Sequence, residues 1–75
     1  MAEIILTNHL QSRLLERGID VHEAKQTAKN GKITKKENNG KITKERILYD
    51  GRVLVVVFKQ EMSKIIIITA YYYEN

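Results

Sequence analysis

The sequence predicts an α+β domain in which two N-terminal helices pack on a four-stranded antiparallel sheet. Three observations predict it. Residues 1–31 contain two capped segments whose apolar residues recur three to four apart. From residue 32 the period shortens to two and β-branched side chains take over. That second stretch is punctuated by Asn39-Gly40 and Asp50-Gly51, dipeptides favoured in hairpin turns. All 75 residues fit one domain, since domains mostly run from about 50 to 250 residues.

The first helix is expected over about residues 8–17. Thr7 supplies the N-cap, Leu10 and Leu14 lie four apart, and Gly18 ends it. The second is expected from about Val21 to Asn30, with Val21, Ala24 and Ala28 inward and Gly31 as its stop. Asp20 followed three residues later by Glu23 reads as a capping box. Strands are then expected over about residues 32–37, 41–49, 52–59 and 64–72. The last connection, Gln60 to Lys64, is short and polar without a glycine.

Two further features belong to the strands. Asn-Gly-Lys-Ile-Thr-Lys occurs at residues 30–35 and again at 39–44, a local duplication that permits a slipped register in the hairpin. Val53 to Phe58 and Ile65 to Ile68 do not alternate, so both faces of these strands are apolar. Two short helices cover one face. The other calls for a second copy, a partner protein or the segment Ile4-Ile5-Leu6.

Composition narrows the function classes. The chain has no cysteine, which removes disulfides and thiolate metal sites. Its longest apolar runs are far short of the roughly 20 residues of a membrane span, and Met1 to Leu6 lacks the basic flank and length of a signal peptide. The expectation is a cytoplasmic protein that does not engage membranes. The net charge of +4 is concentrated in the middle. Lys29, Lys32, Lys35, Lys36, Lys41, Lys44 and Arg46 face only Glu37 and Glu45, whereas residues 1–28 carry more anions than cations. Clustered lysine with a pI near 9.5 is the footprint of a nucleic-acid binder. It also fits a hairpin whose lysines block edge pairing.

Two constellations can carry chemistry. His9, Arg13 and Arg17 are spaced by four, which aligns them along one stripe of the first helix. Guanidinium groups pair bidentately with phosphate, and a histidine moves protons near neutral pH. The same spacing also describes a solvated helix face. In the last strand Thr69 and Tyr71 share a face and Tyr72 takes the other. A hydroxyl beside a phenol suits a phosphate or a stacked base, and it suits equally a strand end whose aromatics cover the helices. No phosphate-binding glycine loop, histidine metal pair, serine triad or carboxylate pair is present.

Taken in order, Thr7-x-His9-x-x-x-Arg13-x-x-x-Arg17-Gly18-Ile19, a second helix, a glycine-turned hairpin, a Val-rich strand and Ile67-Ile68-Thr69-Ala70-Tyr71 resemble a family of small bacterial domains of unknown function. That family looks like a distant branch of the barnase, colicin and RelE-like ribonuclease-toxin assemblage. The resemblance spans about residues 5–72. It departs from the family pattern at Leu10, where an alanine usually follows the histidine. It implies a RelE-like fold and metal-independent RNA cleavage without a cofactor. His9 would be the acid–base group, Arg13 and Arg17 would hold the scissile phosphate, and Thr69 and Tyr71 would orient it. Lys32, Lys35, Lys36, Lys41, Lys44 and Arg46 would track the RNA. It also implies a cognate antitoxin or immunity protein; a homodimer through the sheet is the other expected assembly. The rival reading is a non-catalytic RNA-binding or dimeric interaction module.

Overall fold

A computed structural model describes residues 3–73. The elements run β1 (Glu3–Ile5), α1 (Asn8–Glu16), α2 (Val21–Asn30), β2 (Lys32–Lys36), β3 (Lys41–Ile47), β4 (Val53–Glu61) and β5 (Lys64–Tyr72). Both helices and the four later strands lie where the sequence places them. The sheet itself needs correction: it has five strands in the order β1-β5-β4-β3-β2, and β1 joins β5 in parallel. The four-stranded antiparallel expectation misses β1 because a parallel neighbour arrives by a long crossover and leaves no local turn signal.

Local chemistry accounts for each boundary. The Thr7 hydroxyl accepts from the Leu10 amide at 3.1 Å, capping α1. Asp20 caps α2 through the His22 amide at 3.2 Å. Its expected capping-box partner does not complete the box, because the Glu23 carboxylate is taken by Arg46 at 3.1 Å. The two glycine hairpins close in the same way. Gly40 donates to the Glu37 carbonyl and Gly51 to the Leu48 carbonyl, both glycines with φ near +90°. The preceding Asn39 and Asp50 side chains each accept from the amide two residues on, at 3.1 Å. These are three-residue loops ending in a left-handed glycine. The connection from β4 to β5 is a two-residue turn with Met62 at φ 51°, and it lengthens β4 to Glu61.

The core lies between the helices and one sheet face. Leu10, Leu14, Ile19, Ala24 and Ala28 meet Leu54, Val56, Phe58, Ile65, Ile67 and Ala70, with Ile4, Leu6 and Tyr72 packed around them. A bulge sets which β5 residues look inward. Val57 pairs with Thr69 but Phe58 with Ile67, leaving Ile68 unpaired and reversing the alternation beyond it. Ile65 and Ile67, then Ala70 and Tyr72, therefore face the helices, while Thr69 and Tyr71 take the opposite face. The segment around Ile4 extends the sheet edge rather than covering that opposite face. Ile68 and Tyr71 stay about two-fifths exposed there, at 41% and 42%. No helix among the described residues is long and apolar enough to cross a membrane.

Candidate functional site

The candidate site is built where α1 runs along the free half of β5. Among the described residues β1 pairs with Lys64 to Ile66 alone, and no strand pairs with that edge of β5 beyond Ile66. α1 starts just after β1 ends and finishes level with Ala70 and Tyr72. Buried Leu10 and Leu14 fix its rotation, which leaves His9, Arg13 and Arg17 on an exposed stripe beside them. At the C-terminal end of the stripe one Arg17 Nη donates to the Ala70 carbonyl at 2.8 Å and to Thr69 Oγ1 at 3.3 Å. The rest of the guanidinium fork remains available, since arginine carries five N–H donors. The Tyr72 hydroxyl donates to the Gly18 carbonyl at 3.2 Å, tying the strand to the turn after α1. Arg17 and Thr69, 52 positions apart in sequence, are thus in contact.

Arg13 lies about one helical turn, roughly 6 Å, before Arg17, and His9 a further turn back. Both are exposed and neither is hydrogen-bonded through its side chain to Thr69 or Tyr71 among the described residues. No cluster of three His, Asp or Glu that would hold a metal occurs among the described residues. The domain of unknown function DUF4258 matches residues 6–72. The chain belongs to the DUF4258 family. No curated protein and no solved structure matches it. The family match takes in everything from α1 to β5, and so both halves of the Arg17–Thr69 contact.

The basic hairpin of this DUF4258 domain divides between the two sheet faces. Lys32 pairs with Glu45, Lys35 with Thr43 and Lys41 with Lys59, all on the open face. Lys36, Lys44 and Arg46 point to the helix side, where the last two are engaged. Arg46 binds the Glu23 carboxylate, Thr27 Oγ1 at 3.2 Å and the Glu23 carbonyl at 3.4 Å, pinning α2 to β3. Lys44 donates to the Lys29 carbonyl at 3.3 Å and lies 5.6 Å from the centre of the Phe58 ring. The division turns on a bulge between Ile33 and Lys35, inside the duplicated hexapeptide.

Three participants escape a reading confined to the basic segment and the histidine stripe. Lys59 joins the open-face lysines, and alternation along β4 with the Asn39-Gly40 register could have found it. Arg52 lies 4.3 Å over the Tyr72 ring, and no local signal announces that contact. Asp50 is bound to Arg52 at 2.7 Å. The Arg52 backbone amide, aided by the guanidinium, holds the Asp50 carboxyl below its ordinary value of 3.8. The pair is therefore intact at neutral pH and is lost only as pH falls through that lowered value.

Proposed function

We propose that this domain is a RelE-like ribonuclease-type protein that cleaves RNA without a metal, acting as the toxin of a two-component pair. The observation that carries the reading is the Arg17–Thr69 contact, which sets a guanidinium and a hydroxyl side by side on an accessible edge at the end of a stripe holding Arg13 and His9. In this reading His9 takes the proton of the RNA 2′-hydroxyl and the freed oxygen attacks phosphorus. The bond from phosphorus to the 5′ oxygen then breaks, and that oxygen leaves with a proton taken from water, while His9 gives its own proton back to solvent. The products are a 2′,3′-cyclic phosphate and a 5′-hydroxyl. Arg13 and the unspent donors of Arg17 stabilise charge on the phosphoryl oxygens, while Thr69 and Tyr71 orient the backbone. The 2′-hydroxyl is the nucleophile, so no metal is required. A cognate antitoxin or immunity protein would cover the apolar open face around Val57, Ile68 and Tyr71.

The test is incubation of purified protein with single-stranded RNA in excess EDTA. Fragments ending in a cyclic phosphate are expected; intact RNA would overturn the reading. The second reading, a non-catalytic RNA-binding module, draws on the structural engagement of Arg46 and Lys44 and on the edge-capping bond of Arg17.

Binding makes a separate prediction. The open-face lysines Lys32, Lys35, Lys41 and Lys59 are expected to displace counterions from RNA. Each phosphate contact on a single strand contributes about 0.7 to the slope of log affinity against log salt. Changing all four to Gln should flatten that slope by about 2 to 3. A slope that the variant leaves unchanged would place RNA elsewhere on the molecule.

A further inference from the structure

β2 ends the sheet on the side away from β1. Among the described residues it pairs with β3 alone, so the backbone N–H and C=O groups that point the other way have no strand to receive them. α2 packs over β3 and β4, and every residue of β2 is exposed. An open edge of this kind pairs with any extended chain that its side chains admit.

Those side chains are selective. Alternation sends Lys32 and Lys35 to the open face of the sheet, and Ile33 and Lys36 to the helix side. No ion pair among the described residues involves Lys29, Lys32, Lys35, Lys36 or Lys44, and the hairpin's own acids, Glu37 and Glu45, are bound to none of them. Two copies of the edge would set like charges opposite one another, which excludes self-pairing. Repelling a second copy calls for no apolar group, yet Ile33 stands 47% exposed among the lysines. It opens onto a hollow of about 340 Å³ beside the end of α2. Ile33, Ile42 and Phe58 form the apolar side of the hollow, and Lys29, Lys36 and Lys44 its cationic side. Lys44 gives one donor to the Lys29 carbonyl at 3.3 Å, leaving two.

The edge therefore combines free main-chain donors and acceptors, an apolar slot, and cations on both faces. We propose that β2 is a docking strand for an extended acidic segment of a partner protein, which adds to the sheet as a sixth strand. Main-chain bonds to β2 hold the segment. Its residues alternate between the faces, so an isoleucine or valine enters the slot beside Ile33. Carboxylates meet Lys29, Lys36 and Lys44 on that face, and Lys32 and Lys35 on the other. The bulge between Ile33 and Lys35 interrupts any ladder there, so the pairing is short and the side chains decide which segment is accepted. This edge is distinct from the open face around Val57, Ile68 and Tyr71, and its affinity for an acidic strand does not rest on the ribonuclease reading.

The probe is the end-blocked peptide Glu-Glu-Ile-Glu-Val-Glu-Glu, carrying a fluorophore and titrated with the full chain. Binding is expected, with amide NMR shifts centred on residues 32–36. Ile33→Ser should weaken it about tenfold, the scale of an isoleucine side chain returned to water. Ile33 is an exposed edge residue, so the variant should keep its fold, which a thermal melt checks. Lys29→Gln combined with Lys36→Gln should weaken binding and lower its salt dependence. Two further peptides, methylated at alternate backbone nitrogens on one edge or on the other, keep every charge and should differ, since only one edge meets β2. Binding that survives Ile33→Ser, equal binding of the two methylated peptides, or shifts centred away from β2 would overturn the docking strand. So would single-stranded RNA that shifts β2 where the peptide does not. Peptide bound by a protein that leaves RNA intact in EDTA upholds the edge and removes the cleavage reading. RNA cut by a protein that ignores the peptide does the reverse.

Discussion

Replacing His9 by alanine is expected to lower the rate of RNA cleavage by about 10² to 10⁴, the usual contribution of a general acid–base group. Thermal unfolding should not change. His9 is exposed, α1 is capped by Thr7 and anchored by buried Leu10 and Leu14, and alanine is the better helix former. Arg17 should behave differently, because its bonds to Ala70 and Thr69 close an open strand edge. Arg17→Ala is expected to lower both activity and melting temperature. Arg17→Lys should recover only part of each, since an ammonium cannot reproduce the guanidinium fork. Cleavage assays paired with thermal melts decide the matter. If His9→Ala melts earlier yet still cleaves RNA, the histidine is structural and the binding module replaces the enzyme.

Phe58→Ala should unfold much of the population. Phe58 is 1% exposed at the centre of the core, and removing a buried phenylalanine costs about 3 to 5 kcal/mol. Domains are stable by only about 5 to 15 kcal/mol, and one of this size sits toward the lower end. Each kcal/mol lowers the melting temperature by about 4 to 8 °C. Leu15, 81% exposed on α1, provides the contrast: Leu15→Ala should move stability by no more than about 0.5 kcal/mol. Denaturant melts of both variants check the pair. Equal losses would mean that the core is not centred on Phe58.

Much of the candidate site's placement was legible because its parts follow local rules. The four-residue spacing of His9, Arg13 and Arg17 and the flanking leucines define the exposed stripe without any knowledge of the sheet. The division of the basic hairpin was less legible. Lys44 and Arg46 carry the same charge as Lys41, yet a helix they cannot sense locally takes both as anchors. The placement of Thr69 and Tyr71 depended on the bulge at Ile68. Uninterrupted alternation would have put them with Ile65 and Ile67 in the core.

The duplicated hexapeptide separates the two kinds of information most directly. Asn30-Gly31 ends a helix with Gly31 at φ −69°, pressed so close to the Thr27 carbonyl that a Cβ would lie 2.6 Å from it. Asn39-Gly40 turns a hairpin with Gly40 at φ +92°. The same letters serve both, and the flanking period tells a reader which is which, since caps, turns and alternation act over a few residues of backbone. By itself the sequence therefore determined two helices, two glycine hairpins and a long apolar β4 and β5. Only the tertiary structure decided the parallel docking of β1, the reach of Arg17 to residues 52 and 53 positions away, and the stacking of Arg52 on Tyr72. Those contacts join surfaces distant in the chain, and their free energy exists only once the intervening elements have packed.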